Sequence, residues 1–485
     1  MKLNILFCAS EMTPFAKTGG LADVVAALPK HLAKLGHTLK VVLPRYYQID
    51  KATLKPSLSG LSVDMGPLGP HHFAAFKKDL EGFEVYFIDY ELYFGRKNLY
   101  TDENGFGYPD NDRRFIFFSK AAMELARALN FRPDILHAND WHTAAQPILL
   151  NTALRHDPFW SQTASIFTIH NLEHQGVFNP RAFEYLGIDR SHFNPFEMEA
   201  LGALNLLKGA VYHADKITTV SKRYAKEIQT PEFGFGLHEH IKAHSYKLIG
   251  ILNGVDYEEW NPKTDPYIAQ NYDLEDLSGK RVCTTDLQKK MGLPKRSDIP
   301  LIGFVGRFAR QKGIELIAQG IHEMVHLPLQ FVFLGSGEKW AEKFFSDLAK
   351  KYENIAAYIG YSNPLAHQIE AGSDLFLMPS IFEPCGLNQI YSLRYGTLPI
   401  VRAVGGLDDT IENYDPQSKS GDGFKFYDAT KDALVGTVRW AVDTWLHDKE
   451  GINKMIRYAM TRRFDWDRSA KEYTKVYCDA LKSKV

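Results

Sequence analysis

The chain has 485 residues, and its 57 basic and 58 acidic side chains leave a formal net charge of -1. At roughly 100–200 residues per domain, this length predicts two large domains. The even balance of charge argues against a broad basic face of the kind that binds nucleic acid. A composition of 45% hydrophobic and 24% charged residues is typical of a globular protein.

The sequence also predicts the compartment and the redox state of the chain. Its four cysteines, Cys8, Cys283, Cys385 and Cys478, lie far apart, which favours neither a zinc ribbon nor a disulfide framework. Reduced thiols are typical of a cytoplasm. The sequence contains no uncharged apolar stretch of about 18 residues, so it predicts no membrane span. We find neither a signal peptide nor a transit segment, so we expect a bacterial cytoplasmic chain, or a mature plant form from the plastid.

The first half of the chain alternates strand and helix patterns. Residues 3–9 predict a buried strand, 21–35 a helix and 39–43 a second strand, which together form a βαβ unit and imply a parallel sheet. Further strands are predicted at 134–137, 165–169 and 216–220. Residues 57–90 differ, because glycines and prolines separate short alternating runs, and this pattern predicts a hairpin-rich insertion or sheet edge.

The same alternation restarts near residue 300. Strands are predicted at 301–305, 331–334, 356–359, 375–378 and 398–401, with a helix from Gly313. We therefore predict an N-terminal α/β domain over 1–245, a C-terminal one over 246–465, and a helix over 466–485 that packs back on the N-terminal domain. The echo between GGLADV at 19–24 and GGLDDT at 405–410 predicts two similar sheets, with a ligand cleft outside their strand ends.

The stretch AKTGGLADV, from Ala16 to Val24, opens the first predicted helix. A helix N-terminus has unpaired N–H groups and a partial positive charge. Gly19 and Gly20 let a ligand approach the backbone, and Lys17 adds a full charge, so the pattern predicts a phosphate seat. It does not match the Walker A pattern. A simple turn with an exposed lysine remains the alternative.

Two later motifs follow predicted strands in the second half. In GRFARQKG, Arg307 and Lys312 are spaced so that both could neutralise a diphosphate without a metal; a solvated loop is the alternative. In FEPCGLNQI, Pro384 restrains Glu383 outside helical geometry, which suits a carboxylate that binds sugar hydroxyls or a developing positive charge. An ordinary acid at a helix start is the alternative.

The cluster HANDWH combines aromatic and polar residues. His137 and His142 lack the spacing of a zinc-binding helix, so we predict no metal site. His170, at the next strand end, fits either a sugar contact or a packed core histidine. Asp140 and Trp141 could shape an acceptor groove, with core packing as the alternative for Trp141.

Together these motifs resemble the bacterial glycogen synthase and plant starch synthase family. The matching stretches are KTGGLADV, HANDWH, TIHNLEHQG, ILNGVD, GRFARQKG, GYS at 360–362, FEPCGLNQIYSLRYGTLPIV and GGLDDT. They occur in the order of the family, from about residue 15 to beyond residue 410. This coverage is far more specific than any single motif.

The resemblance implies a GT-B fold, in which two Rossmann-like domains with parallel sheets face a deep interdomain cleft. It implies transfer of glucose from ADP-glucose to the non-reducing end of an α-1,4-glucan with retention, without a metal or other cofactor. Glu383, His170, Lys312 and Arg307 would be catalytic. The donor and its phosphates would contact Lys17, Gly19, Gly20, Arg307, Lys312, Tyr361, Gly386, Leu387 and Asn388, with Tyr361 stacked near the adenine. The sugar and acceptor residues would be Asp23, Asp140, Trp141, Asn171 and Asn253.

Three positions depart from the expected pattern, namely Asn139, Asn388 and Val404. They leave the acceptor preference and the phosphate contacts open, but not the reaction class that the resemblance implies. No second carboxylate is paired with Glu383 as in retaining glycosidases. We therefore favour front-face attack, in which the leaving phosphate takes the acceptor proton, over a covalent intermediate.

Other functions stay open on the sequence alone. One is a GT-B transferase that uses UDP-glucose, and another is a catalytically inactive glucan-binding scaffold. A glucan phosphorylase shares the architecture but needs pyridoxal phosphate and a much longer chain. The expected partners are ADP-glucose and an α-1,4-glucan, with neither nucleic acid nor membrane, and the sequence predicts no particular oligomeric state.

Overall fold

The computed structural model describes residues 1–484 and divides into two compact units. The first unit comprises Met1–Gly254 and the segment that begins at Trp466, and the second is Val255–Asp465. Both are α/β structures, as the sequence predicts. Among the described residues, none of the helices has the length and apolar character needed to cross a lipid bilayer.

The first unit is built on a nine-stranded sheet with a small three-stranded sheet beside it. Its strands are β1 (Asn4–Cys8), β2 (Thr38–Pro44), β3 (Lys55–Asp64), β4 (Pro70–Leu80), β5 (Phe83–Asp89), β6 (Ile135–Asn139), β7 (Ala164–Ile169), β8 (Val177–Phe178), β9 (Glu199–Ala200), β10 (Ala203–Asn205), β11 (Lys216–Thr219) and β12 (Leu248–Gly250). The large sheet has the order β12-β11-β7-β6-β1-β2-β5-β4-β3. It is parallel from β12 to β5, and β4 and β3 add an antiparallel edge, which confirms the edge predicted at 57–90.

The helices of the first unit are α1 (Leu21–Lys34), α2 (Glu91–Phe94), α3 (Asn111–Ala128), α4 (Ala145–Asn151), α5 (Leu206–His213), α6 (Lys222–Glu227) and α7 (His238–Ala243). In α1, Leu21, Val24, Val25, Leu28 and Leu32 are buried, a spacing that puts one apolar face on the sheet. Every residue of β6 and β7 is buried, as in parallel strands that are covered on both faces.

The second unit has six parallel strands in the order β15-β14-β13-β16-β17-β18. They are β13 (Leu301–Val305), β14 (Gln330–Gly335), β15 (Ile355–Ile359), β16 (Leu375–Met378), β17 (Leu398–Arg402) and β18 (Phe424–Phe426). The helices are α8 (Ser278–Met291), α9 (Ile314–Met324), α10 (Lys339–Lys351), α11 (Asn363–Gly372), α12 (Asn388–Arg394), α13 (Gly405–Thr410), α14 (Lys431–His447) and α15 (Lys449–Thr461).

The chain leaves the first unit after Gly254 and not after residue 245, because β12 pairs with β11 and is therefore an edge strand of the first sheet. The last helix, α16 (Trp466–Lys482), belongs to the first unit. Its Asp467 contacts His31 of α1 at 2.7 Å, and its Ser469 donates to the Leu252 carbonyl at 2.6 Å. The chain thus returns to its first unit at the end.

Candidate active site

The loop between β1 and α1 is organised by a buried carboxylate. Glu11, only 4% exposed, accepts hydrogen bonds from the Thr18 N–H, the Thr18 hydroxyl, the Gly19 N–H at 3.2 Å and the Tyr100 hydroxyl at 2.7 Å. The Gly19 N–H, which the resemblance assigned to a ligand, is therefore bonded to Glu11 in this structure. Sequence reasoning missed Glu11, although an acid three residues after the end of β1 was a usable signal.

Gly20 differs from its neighbour. It precedes the first residue of α1 with φ -68°, and no hydrogen bond to its N–H is found within residues 1–484. A Cβ placed on Gly19 or Gly20 would meet nothing within 4 Å. The backbone at this helix start therefore faces open space, which an anion could occupy.

Lys17 and Asp23 form an ion pair in the first unit. The Lys17 ammonium lies 2.7 Å from the Asp23 carboxylate, and 47% of the lysine side chain and 32% of the aspartate side chain are exposed. The Thr13 hydroxyl also reaches Asp23, at 3.3 Å. Exposed pairs of this kind contribute little to stability, about 0–1 kcal/mol, so an incoming anion can compete with Asp23 for the lysine.

The carboxyl ends of β6 and β7 bring His170 to Asn139 and Asp140. The ring Nε2–H of His170 donates to the Asn139 side-chain oxygen at 2.9 Å, because an amide oxygen can only accept. Asn139 in turn donates to the Cys8 carbonyl at 3.0 Å. Burial lowers the pKa of His170 to about 3, so the imidazole is neutral at pH 7 and its Nδ1 keeps a lone pair.

Asp140 is a buried carboxyl group on a strained backbone. Its φ is 55°, a conformation that costs a non-glycine residue on the order of 1–3 kcal/mol and concentrates at functional sites. One carboxyl oxygen accepts the His170 N–H at 2.7 Å. Burial raises the pKa of Asp140 to about 7, and backbone N–H donors from His170 and Asn171 partly oppose that rise.

The remaining first-unit candidates are an aromatic wall and two amides. Trp141 is mostly buried against Phe115, His142 and Phe178, as in core packing, and only its edge lines an open surface pocket of about 340 Å³. The Asn171 side-chain oxygen accepts the Glu173 N–H at 3.0 Å. Asn253 is 6% exposed, and its side-chain oxygen has no hydrogen-bond partner in the described part of the chain. A buried unpaired oxygen of this kind suits a donor from a ligand.

In the second unit, Glu383 lies after β16 and is held by a cation. Its carboxylate is 2.6 Å from the Lys312 ammonium and accepts the Ser380 hydroxyl at 3.0 Å. Glu383 is 5% exposed, whereas 24% of the Lys312 side chain is exposed. The pair places one positive and one negative group at the carboxyl end of the sheet. Ser380 is a partner that sequence reasoning missed.

The loop around Glu383 is closed by tight backbone packing. Gly406 donates its N–H to the Glu383 carbonyl at 3.1 Å. A Cβ on Gly405, whose φ is +45°, would lie 2.0 Å from that same carbonyl oxygen, and a Cβ on Gly406 would lie 1.9 Å from the Cys385 carbonyl oxygen. Glycine is therefore required at both positions to hold the segment that carries Glu383.

The other second-unit candidates surround the ends of β13 and β15. Arg307 donates to the Gln311 side-chain oxygen at 3.1 Å, and Asn388 donates to the Val305 carbonyl at 2.9 Å. Gly386 and Leu387 precede α12, Gly386 with φ +70°. Tyr361 is 81% exposed, so its ring is available for stacking. Because β13 and β16 are adjacent parallel strands, the residues after them share one sheet edge.

Two family models match the chain. The starch synthase catalytic domain matches residues 4–243, and the model named glycosyl transferases group 1 matches residues 287–462. The glycogen synthase 1 of Geobacter sulfurreducens is 52% identical over all of this chain and 97% of its own length. The glycogen synthase of Koribacter versatilis is 45% identical over 98% of both chains.

A solved structure gives the same result. The catalytic domain of starch synthase IV from Arabidopsis thaliana, bound to ADP and acarbose, matches 99% of this chain with a TM-score of 0.90 and 33% identity. The fold is therefore that of GT-B glycosyltransferases, with two α/β domains on parallel sheets. The chain belongs to the glycogen synthase and starch synthase family of glycosyltransferases.

Proposed function

We propose that the chain transfers glucose from ADP-glucose to the non-reducing end of an α-1,4-glucan, with retention and without a metal. The observation that carries the proposal is the Lys312–Glu383 pair at 2.6 Å, at the sheet edge that it shares with Arg307. The relatives named glycogen synthase and the starch synthase structure bound to ADP support this choice of donor and acceptor.

The second unit supplies the donor chemistry. Breaking the bond between glucose and phosphate leaves negative charge on the diphosphate and partial positive charge on the sugar. Lys312 and Arg307 stabilise the first charge, the arginine through two parallel donors, and Glu383 stabilises the second. Groups that are already oriented at the developing charge contribute typically 10²–10³-fold each to the rate. The glycines at 405 and 406 keep Glu383 in position before the donor arrives.

The first unit supplies the acceptor side and a second phosphate contact. Lys17 leaves its ion pair with Asp23 and binds a phosphate of the donor. The Gly20 N–H donates a hydrogen bond to the same phosphate. The neutral His170 offers Nδ1 to a sugar hydroxyl, and the unpaired oxygen of Asn253 accepts from another. The open pocket that Phe178 and the exposed edge of Trp141 line is the proposed site for the glucan chain, although most of the Trp141 ring is packed against Phe115, His142 and Phe178.

The retention that we propose is compatible with the environment of Glu383. Its carboxylate is engaged by the Lys312 ammonium and the Ser380 hydroxyl, and we assign it no partner carboxylate of the kind that retaining glycosidases use. We therefore assign front-face attack, in which the acceptor hydroxyl approaches from the side of the departing phosphate. The phosphate oxygen takes the acceptor proton. The positive groups around the leaving diphosphate stabilise its charge, so the proposed transfer does not need a metal.

The test is incorporation of labelled glucose into glycogen from ADP-glucose or UDP-glucose, with EDTA present. Glu383→Gln keeps the volume of the side chain, and we expect it to lower kcat at least about 100-fold. Glu275→Gln, at an exposed position of the same unit, is the matched control and should leave kcat unchanged. Full activity with ADP-glucose in EDTA supports the proposal.

Two outcomes would replace it. Incorporation from UDP-glucose alone keeps the reaction but changes the donor. No incorporation from either donor, together with measurable glucan binding, makes the chain a scaffold. The bacterial origin of the relatives supports a bacterial cytoplasm rather than a plastid as the place of the reaction.

A further inference from the structure

Three potential metal ligands converge in the first unit, outside the residues assigned to glucosyl transfer. His192 ends a short turn after β8, Glu197 lies five residues further on, and His213 is the last residue of α5. The His192 Nδ1 is 2.8 Å from one Glu197 carboxylate oxygen, and the His213 Nε2 is 2.9 Å from the same oxygen. The three ligand atoms all lie within 4.8 Å of one another.

Neighbouring groups orient this carboxylate. The Asn194 side chain donates to the other Glu197 oxygen at 3.0 Å, which leaves the shared oxygen turned towards the two imidazoles. We call His192, Glu197 and His213 the His–Glu–His cluster. Its members come from a turn, a loop and a helix end, so the side chains converge through the fold rather than through sequence spacing.

His213 gives the second observation. It is 4% exposed, and its Nε2 lies 2.9 Å from the Glu197 oxygen without forming a hydrogen bond of good geometry. The contact is therefore mainly electrostatic, because its angle is poor for a hydrogen bond. A buried polar atom without a well-formed hydrogen bond is costly. A cation between the three ligands would satisfy this nitrogen.

We propose that the His–Glu–His cluster binds a divalent transition metal of the zinc class, with water as the fourth ligand. Two imidazoles and one carboxylate are a ligand set that zinc uses, with bonds of about 2.0–2.2 Å. In a tetrahedron these bonds separate the ligand atoms by about 3.4 Å. The two contacts to Glu197 thus need to lengthen by about 0.5 Å, which side-chain rotation can supply.

An outer partner for His213 is also present. The Asn151 side-chain amide lies 3.3 Å from the His213 Nδ1. Turning that amide over places its oxygen against an Nδ1–H and frees Nε2 for the metal, the arrangement typical of metal-bound histidines. The ion would join the loop around 192–197 to the end of α5. Its expected effect is therefore on stability and not on kcat.

Titration of the untagged full chain tests the proposal. After removal of metal by a chelator, the wild type should bind one equivalent of Zn²⁺. With Co²⁺ in place of Zn²⁺, it should show absorption bands typical of a four-coordinate ion. The Zn²⁺-bound protein should melt at a higher temperature than the metal-free protein. His192→Ala and Glu197→Gln each change a direct ligand, so each should weaken Zn²⁺ binding by more than the roughly 10–100-fold that is typical for loss of an outer partner. His156→Ala removes an exposed histidine of the same unit and should change nothing.

Two results would contradict a metal site at the His–Glu–His cluster. The proposal fails if the wild type binds no tight equivalent, or if His192→Ala binds Zn²⁺ as tightly as the wild type. His192 is partly exposed, so its variant should fold, and circular dichroism without metal checks this. Glucosyl transfer is measured separately in EDTA, so failure of the proposed function leaves this result unaffected.

Discussion

The chain carries the pattern G-G-L-x-D twice, at the start of α1 and at the start of α13, and the two pairs of glycines have different roles. A Cβ on Gly19 or Gly20 would meet open space, whereas a Cβ on Gly405 or Gly406 would lie within 2.0 Å of a carbonyl oxygen. One pattern therefore leaves room for a ligand, and the other allows two backbone segments to touch. A shared motif does not imply a shared physical role.

The largest expected difference between the two helix starts is in stability. Gly406→Ala forces its methyl group onto the Cys385 carbonyl, and no flexible side chain can move aside. We expect the free energy of unfolding of the second unit to fall by more than about 4 kcal/mol, which places the change among the most destabilising single substitutions. At about 2–4 °C per kcal/mol, the melting temperature should drop by about 10 °C, measurable by calorimetry.

Two variants serve as controls for this prediction. Gly20→Ala should change the melting temperature by only a few degrees, because its methyl group meets nothing. Gly436→Ala adds a methyl group in open space within α14 and should stabilise by about 1 kcal/mol, the helix preference of alanine over glycine. Equal losses for Gly406→Ala and Gly20→Ala would remove the distinction between the two motifs.

The buried carboxyl groups of the two units extend the comparison. Glu383 has an ammonium at 2.6 Å, whereas the partners of the Asp140 carboxyl are the backbone N–H groups of His170 and Asn171. Burial raises the pKa of Asp140 from 3.8 to about 7. Between pH 3.8 and about 7 the folded state binds more protons at Asp140 than the unfolded state does. The free energy of unfolding therefore falls as the pH rises from about 4 to 7.

Asp140→Asn should remove this pH dependence. A shift from 3.8 to about 7 corresponds to about 4 kcal/mol at most. The stability of the variant relative to the wild type should therefore be lowest near pH 4 and rise by up to that amount towards pH 8. Urea unfolding of both proteins across this range measures the difference. Asp443→Asn, at an exposed position, should show no such trend; a flat difference for Asp140→Asn would contradict the account.

The fold was largely predictable, because its strands are continuous apolar runs separated by helical patterns. Residues 301–305 and 375–378 match β13 and β16 at both ends. The boundary at Gly254 was less predictable, since β12 has only three residues and is identified by its pairing with β11. Pairing between distant segments is not visible in the composition of either one.

The candidate site was predictable only where residues follow strand ends. Lys312 and Glu383 are 71 residues apart and meet because β13 and β16 are neighbours. The bond between Gly19 and Glu11 was missed, as it depends on how the loop turns back on itself. The convergence of His192 and His213 on Glu197 was missed too, because no ligand spacing connects a turn to the end of a distant helix.

The smallest expected effect is on donor binding at the start of α1. If Gly20 is open so that a donor phosphate can reach its N–H, then a methyl group there should obstruct the ligand without harming the fold. We expect Gly20→Ala to raise the KM for ADP-glucose about tenfold, the equivalent of one hydrogen bond of about 1.4 kcal/mol. The value of kcat should change less, because Lys312 and Glu383 are untouched.

Steady-state kinetics with varied ADP-glucose measures this change, and Gly436→Ala is again the control, since it alters a helix that carries none of the assigned residues. An unchanged KM for Gly20→Ala would mean that the space at this helix start is filled by water, and that the glycine is a turn residue. A raised KM with a normal melting temperature would separate binding from folding at this motif. Gly406→Ala should show the reverse, namely a lower melting temperature with a smaller change in the KM for ADP-glucose.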